Sequence, residues 1–148
     1  PRIAESRFAI MRPKASWRIR LFLFATLLFA SLGDFVLDSG QRLLDLKVGY
    51  RVFGKLNEDK SNVVLFPSWF NGKSADLVTY IGPGRFVDDS RFYVIAMDNI
   101  ANGVSTSPSN SEKQKAQAFP RISMRDTVRV QHALLDKLGI RKGYAVIG

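Results

Sequence analysis

Apolar and polar positions change rhythm several times along the chain. Residues 21–32 (LFLFATLLFASL) are almost wholly apolar and carry no charge. Arg42 to Phe53 alternates and is rich in Leu, Val, Tyr and Phe, the pattern of one or two antiparallel strands. After a polar loop over 54–62, Val63-Val-Leu-Phe66 is a short and wholly apolar run, as a strand covered on both faces requires. Pro67 to Lys73 reads as a loop, because Pro67 has no N–H for a ladder and Asn71-Gly72 is a turn pair. Ser74 to Ile81 predicts a short helix stopped by Gly82-Pro83-Gly84, and Phe92 to Met97 a second buried strand.

Asp98 to Ala118 is a long polar loop with Ser-Pro turn chemistry, and loops of that length tend to carry function. Ser123-Met-Arg-Asp126 has the hydroxyl and acid spacing of a capping box, so a helix starts there. Val128, Gln131, Leu135 and Leu138 recur at helical spacing with Leu134 beside them, giving an apolar stripe, and Gly139 is the expected stop. Tyr144 to Ile147 supplies a third buried strand before Gly148. Strand, helix, strand, helix, strand predicts an α/β domain of parallel strands joined by right-handed crossovers.

The chain has 148 residues, 46% hydrophobic and 24% charged, which suits one globular domain and excludes wholesale disorder. It has no Cys, which excludes a disulfide framework, a thiolate zinc site, a cysteine nucleophile and a lipoprotein anchor. Its single His, His132, cannot build a multi-histidine metal cluster. The net charge of +9 is concentrated at the front, where residues 1–33 hold six of the 22 basic side chains against one acid. The remaining charges are mixed in sign and form no nucleic-acid motif, so a nucleic-acid partner is not expected.

From Met11, a basic lead precedes the apolar run. Twelve residues of helix rise about 18 Å, short of the roughly 30 Å hydrocarbon core. Residues 11–33 therefore read as a signal peptide, with Ser31 and Gly33 as small residues permitting cleavage after Gly33. An uncleaved membrane anchor or a buried core helix are the alternatives. Residues 1–10 read as upstream translation ahead of a natural start at Met11. The expectation is an exported protein, periplasmic or secreted, that meets a membrane only through this leader, with 34–148 as a separate and partial domain.

The body resembles the amino-terminal half of an α/β-hydrolase, and within that superfamily the homoserine O-acetyltransferases and their hydrolase-like cousins. The residues that carry the likeness are Tyr50-Arg-Val-Phe-Gly-Lys-Leu-Asn57, Asn62-Val-Val-Leu-Phe66, Ile81-Gly-Pro-Gly-Arg85, Phe92 to Met97, Ser107-Pro108-Ser109, Ser123-Met-Arg-Asp-Thr-Val-Arg-Val-Gln131, Leu134-Leu-Asp-Lys-Leu-Gly-Ile140 and Ala145-Val-Ile-Gly148. The resemblance implies a mostly parallel sheet with crossover helices and serine-dependent acyl chemistry, either ester hydrolysis or O-acyl transfer. The family's nucleophile sits on a Gly-x-Ser-x-Gly elbow after such a strand. Gly148 matches its first Gly, so the serine would lie two places beyond it, with the acid and His later still. No Gly-x-Ser-x-Gly occurs in the chain, and Gly103-Val-Ser105-Thr-Ser107 fails at its last position. His132 is therefore not the catalytic base, and the chain by itself is expected to be inactive. A non-catalytic binding module on the same fold, or a membrane-anchored protein, is the alternative.

What the resemblance does place on this chain is one backbone donor of the oxyanion hole, in the loop after Val63–Phe66. It falls at Phe70, with Trp69 as the alternative; Ser68-Trp69-Phe70-Asn71-Gly72 here replaces a His-Ala-Leu-Thr-Gly type stretch, which puts the amino-acid substrate in question. The competing view makes Trp69 and Phe70 caps on the core. Ser68, Ser105, Ser107 and Asp98 are read as turn-forming, since no neighbouring His activates a serine. The loop after Phe92–Met97 lies where open α/β sheets place ligands, with Asn102, Gly103 and Ser105 as candidate lining of an acyl pocket. No metal or cofactor is implied beyond acyl-CoA as a co-substrate of the transferase reading. The expected partners are a small-molecule ester or acyl substrate and a second subunit in a homodimer.

Overall fold

The computed structural model describes residues 26–148. Its first strand, β1 (Leu28–Val36), pairs antiparallel with β2 (Arg42–Phe53), which forms one continuous strand. The last residues of the apolar run, from Leu28 on, therefore form strand rather than helix. Leu28 to Ser31 stand opposite Tyr50 to Lys47, and Ala30 is buried in the core. Cleavage after Gly33 would remove most of this strand. An apolar run fits a strand as readily as a helix, and β2 offers an edge for it to pair with. Residues 1–10 and the body of the expected leader, 11–25, lie outside the described residues. Among the described residues no helix is long and apolar enough to cross a membrane.

β3 (Val63–Pro67) and β4 (Tyr93–Met97) form a parallel pair at the centre of the sheet. β5 (Ala145–Val146) joins β3 in parallel, and the order is β1-β2-β4-β3-β5. The Tyr144 and Ile147 amides donate to the carbonyls of Val63 at 2.7 Å and Leu65 at 2.9 Å, so the ladder runs the whole expected length of the third strand. The sheet is mixed rather than mostly parallel, because β2 runs antiparallel to both β1 and β4. The cause is the connections: a short turn can deliver only an antiparallel neighbour, and the loop 54–62 reverses the chain before β3.

Two helices cover opposite faces. α1 (Ser74–Leu77), prolonged by a 3₁₀ turn over Val78–Tyr80, buries Leu77 against Val64, Phe66, Val94 and Ala96. α2 (Met124–Lys137) buries Val130 and Leu134 against Val63, Leu65, Ile95 and Met97. Successive strand residues point to opposite faces, so a strand between two layers must be apolar throughout. Every residue of β3 is buried.

α2 starts where the sequence places it. Asp126 N–H donates to Ser123 Oγ at 3.1 Å, and Ser123 N–H donates back to Asp126 Oδ2 at 3.0 Å. Asp126 Oδ1 also accepts the Asp38 N–H at 2.8 Å, which ties the β1–β2 turn to the helix start. Gly139 ends the helix at φ +68°. The buried face is different from the expected stripe: Val128 is 59% exposed, whereas Val130 and Leu134 are fully buried. The stripe at 128, 131, 135 and 138 is apolar, but the sheet takes the adjacent side.

Two tests follow from this packing. Leu134→Ala opens a cavity in the main core and lowers stability by about 2–5 kcal/mol; Val128→Ala changes it by less than about 0.5 kcal/mol. Urea denaturation reads both. The second concerns Asp126, whose pKa is lowered. Burial pushes it up, but the Ser123 and Asp38 amides, the Ser123 hydroxyl and the Arg129 charge outweigh that and hold it down. Its contribution is complete above the unfolded carboxyl value of about 3.9 and fades as pH falls through the lower folded value. Asp126→Asn flattens the acid limb of a stability–pH curve, and an unchanged limb would contradict the assignment.

Candidate active site

At the end of β3, Pro67 ends the ladder and the chain turns into a loop held by its neighbours. Ser68 N–H donates to the Met97 carbonyl at 2.8 Å, carrying the chain across to the end of β4. Ser68 Oγ accepts the Asn99 N–H at 3.2 Å, and the Ser68 carbonyl accepts from Asn99 Nδ2. Asn99 Oδ1 in turn accepts from Gln131 Nε2 of α2 at 3.3 Å. Ser68 is buried and engaged throughout this bridge. It is an anchor, and no imidazole touches it. His132 stands on the outer side of α2, its Nδ1 3.0 Å from Asp136 Oδ2, with 77% of its side chain exposed.

Trp69 and Phe70 follow. The Trp69 carbonyl accepts the Gly72 N–H at 3.0 Å, closing a tight turn. A Cβ at Gly72 would lie 2.5 Å from the Trp69 ring, so the indole can rest there only because residue 72 has no side chain. Trp69 is 52% and Phe70 88% exposed, so neither is a core residue. Among the described residues, neither the Trp69 nor the Phe70 amide donates to a protein acceptor.

The loop after β4 is built around Asp98, which is fully buried. Asp98 Oδ1 accepts the Ser74 N–H at 2.7 Å and Asn102 Nδ2 at 3.1 Å; Oδ2 accepts the Ser74 hydroxyl at 2.6 Å. Asn102 Nδ2 also donates to the Gly72 carbonyl at 3.0 Å, which links this cluster to the Trp69 turn. Ser105 Oγ donates to the Asp98 carbonyl at 2.6 Å and accepts the Gly49 N–H at 3.0 Å. A Cβ at Gly49 would meet Val104 Cγ1 at 2.9 Å and Asp98 Oδ2 at 3.1 Å, so β2 and the loop touch through a bare backbone. Ser107 Oγ donates to the Ser105 carbonyl at 2.5 Å and accepts the Gly103 N–H at 2.8 Å. These serines hold the loop in shape. Sequence reasoning gave Asp98 only a turn role and missed it as a hub. The signal available was an acid directly after an apolar strand; its partner Ser74 lies 24 positions away.

A cavity of about 430 Å³ opens at the carboxyl ends of β3, β4 and β5. Trp69 and Phe70 line it together with Phe66, Ile100, Ile122 and Gly148, and no lining side chain is charged. Of the loop after β4, Asn99, Ile100 and Ala101 reach the cavity; Asn102, Gly103 and Ser105 do not, and act as framework behind it. Among the described residues no group of three or more His, Cys, Asp or Glu could hold a metal ion.

No protein-family model matches the chain. A probable esterase of Corynebacterium glutamicum is 36% identical over 123 residues, covering 80% of this chain and 35% of that protein. A homoserine O-acetyltransferase of Methanohalophilus mahii is 36% identical over 134 residues, covering 77% and 27%. The crystal structure of an acetylester hydrolase from Corynebacterium glutamicum superimposes with a TM-score of 0.78 at 35% identity, over 83% of this chain and 36% of that one. The chain has the α/β-hydrolase fold, and its homologues are esterases and homoserine O-acyltransferases.

The chain spans about a third of the length of these relatives. In α/β-hydrolase terms, it carries the loop after β3 and ends with β5, and both border one cavity. Asp98 fixes that loop from behind. Asp98→Ala strands the buried Ser74 N–H and hydroxyl, at a cost of about 1–3 kcal/mol for each group that water cannot reach, while the partly exposed Asn102 amide keeps its bond to the Gly72 carbonyl. Urea midpoints of Asp98→Ala and of the milder Asp98→Asn, which keeps one acceptor oxygen, should fall in that order.

Proposed function

We propose that the whole protein is a serine-dependent ester hydrolase of the α/β-hydrolase fold, acting on small uncharged esters, and that this chain supplies its oxyanion loop. The observation that supports this reading is the meeting of Trp69 and Phe70, whose amides donate to no acceptor among the described residues, with Gly148 on one cavity without charged lining. A nucleophilic serine two residues beyond Gly148 would attack the ester carbonyl and yield its proton to a histidine later in the chain. The carbonyl oxygen then becomes anionic, and the Phe70 N–H donates to it, with Trp69 as the alternative donor. Collapse of the intermediate expels the alcohol, which takes up the proton, and water releases the acid from the acyl-enzyme.

Backbone donors suit this step because they are fixed before the charge develops and need no reorganisation. Here the Gly72 turn and the Ser68 anchor provide that fixity. Hydrolysis is favoured over transfer to an amino acid by the lining. A homoserine or serine acceptor carries an ammonium and a carboxylate, and charges entering a closed site need paired partners. This wall of the cavity offers none. A transferase using acyl-CoA is the second reading, favoured by the homoserine O-acetyltransferase that matches at the same 36% identity as the probable esterase.

The test replaces single amides by esters in the whole protein, using α-hydroxy acids at position 70 and, separately, at 69. Loss of the Phe70 N–H should lower kcat on a small acetate ester by ~10²–10³ with KM little changed, while the change at 69 has a far smaller effect. The reverse outcome moves the donor to Trp69. No effect at either position removes this loop from catalysis. Adding homoserine to the assay and measuring its acetylation against acetate release separates hydrolase from transferase.

A further inference from the structure

Two peptide groups lead into the turn after β3, and each has its carbonyl held. No peptide bond among the described residues is cis, so within each planar group the C=O and the N–H point in opposite directions. In the group joining Ser68 to Trp69, the Ser68 carbonyl accepts from Asn99 Nδ2. In the group joining Trp69 to Phe70, the Trp69 carbonyl accepts the Gly72 N–H at 3.0 Å. A bond to the carbonyl therefore sets where the amide across the plane is aimed. It also polarises the group, which makes that N–H a better donor. The second bond is local to the turn. The first comes from the end of another strand, 31 positions away.

Asn99 grips residue 68 twice, because its backbone N–H also donates to Ser68 Oγ at 3.2 Å. A side-chain amide offers a neighbour either a donor or an acceptor, according to which way round it sits. Here Gln131 Nε2 donates to Asn99 Oδ1 at 3.3 Å, which engages the oxygen and leaves the nitrogen for the Ser68 carbonyl. Gln131 is half-buried on α2, and α2 is seated on the sheet by Val130 and Leu134. The aim of the peptide group before Trp69 is thus referred to the packing of α2. Asp98, the neighbour of Asn99, holds the far end of the same turn through Asn102 and Gly72.

We propose that Asn99 is a positioning residue for ester cleavage, and that Gln131 holds it in the orientation this requires. Asn99 sets the direction of the Trp69 N–H, and with it the entry to the Trp69–Gly72 turn that carries the Phe70 N–H. The proposal rests on the reading of this loop as an oxyanion loop. Asn99 and Gln131 stand on the cavity wall, but they act through the backbone of 68–70 and not on the reacting atoms. An oxyanion donor works by its alignment with a charge that exists only in the transition state. Lost alignment is therefore felt in kcat and hardly in KM.

The test combines Asn99→Ala with the amide-to-ester change in the whole protein. Asn99→Ala should lower kcat on a small acetate ester by about tenfold to a hundredfold, with KM little changed. The ester, at 70 or 69, that costs ~10²–10³ in the otherwise native protein should cost about tenfold or less on top of Asn99→Ala, because a misaimed amide has little left to lose. Fully additive losses overturn the proposal and leave the oxyanion reading standing. Ester changes without effect in the otherwise native protein defeat that reading, and this proposal with it. Asn99→Asp keeps the shape of the side chain and covers a folding failure of Asn99→Ala. Its ionised carboxylate sets an acceptor against the Ser68 carbonyl, whereas the protonated acid donates to it. The ratio of its kcat to the native value should therefore climb as pH falls towards the carboxyl range; a low ratio that is flat with pH, or a native kcat throughout, overturns the proposal. Gln131→Met should lower kcat by less than Asn99→Ala does, and a native value there removes Gln131 from the assignment.

Discussion

The arrangement of the site depends on one buried carboxylate. Asp98 stands at the end of β4 with no solvent contact and accepts three hydrogen bonds from Ser74 and Asn102. A polar side chain in that position is tolerable only with such donors around it. The donors come from the start of α1 and from the loop after β4, and Asn102 passes the connection on to Gly72. Three segments that approach the sheet separately are thereby held to one point. The turn that presents the Trp69 and Phe70 amides has its far end pinned by the same cluster.

What results is a site whose parts on this chain are mostly backbone. Ser68 is spent on bridging β3 to β4, and Ser105 and Ser107 on shaping a loop. What remains is Trp69 and Phe70, with amides that bond to nothing else among the described residues, on the wall of a cavity without charged lining at the carboxyl ends of parallel strands. This is where open α/β sheets place their ligands. Amides fixed by ladder ends and a glycine turn have little freedom to lose when a substrate arrives. That rigidity is what an oxyanion-stabilising loop needs, and it comes from the surrounding hydrogen bonds rather than from the exposed side chains of Trp69 and Phe70.

Sheet and helices divide the apolar residues between two faces, and α2 is tied both to the sheet and to the β1–β2 turn. Its Ser123–Asp126 capping box fixes where it starts, and the bond from Asp38 to Asp126 fixes where that start sits against the β1–β2 turn. The helix buries Val130 and Leu134 on the sheet while leaving Met124 and Val128 outside.

Several features were legible in the sequence because their signals are local. The all-apolar runs at 63–66 and 92–97, the Ser123-to-Asp126 spacing and Gly139 each act within one turn or one strand, and β3, β4 and α2 lie where these place them. The loop of Trp69 and Phe70 was equally legible, since Pro67 and Asn71-Gly72 bracket it. Other features depend on partners distant in the chain, and periodicity is blind to those. That 28–33 would be strand was decided by the edge of β2, and that the sheet would be mixed by the reversal at 54–62. Which side of α2 turns inward was set by the sheet, although two of its sides are apolar. Asn102, Gly103 and Ser105 fell behind the cavity because Asp98, Gly72 and Ser107 claim them. The sequence by itself determined where β2, β3, β4 and α2 lie and where the loop after β3 turns. Only the tertiary structure decided which faces meet and which polar groups remain uncommitted, because those outcomes depend on contacts between residues that no short window contains.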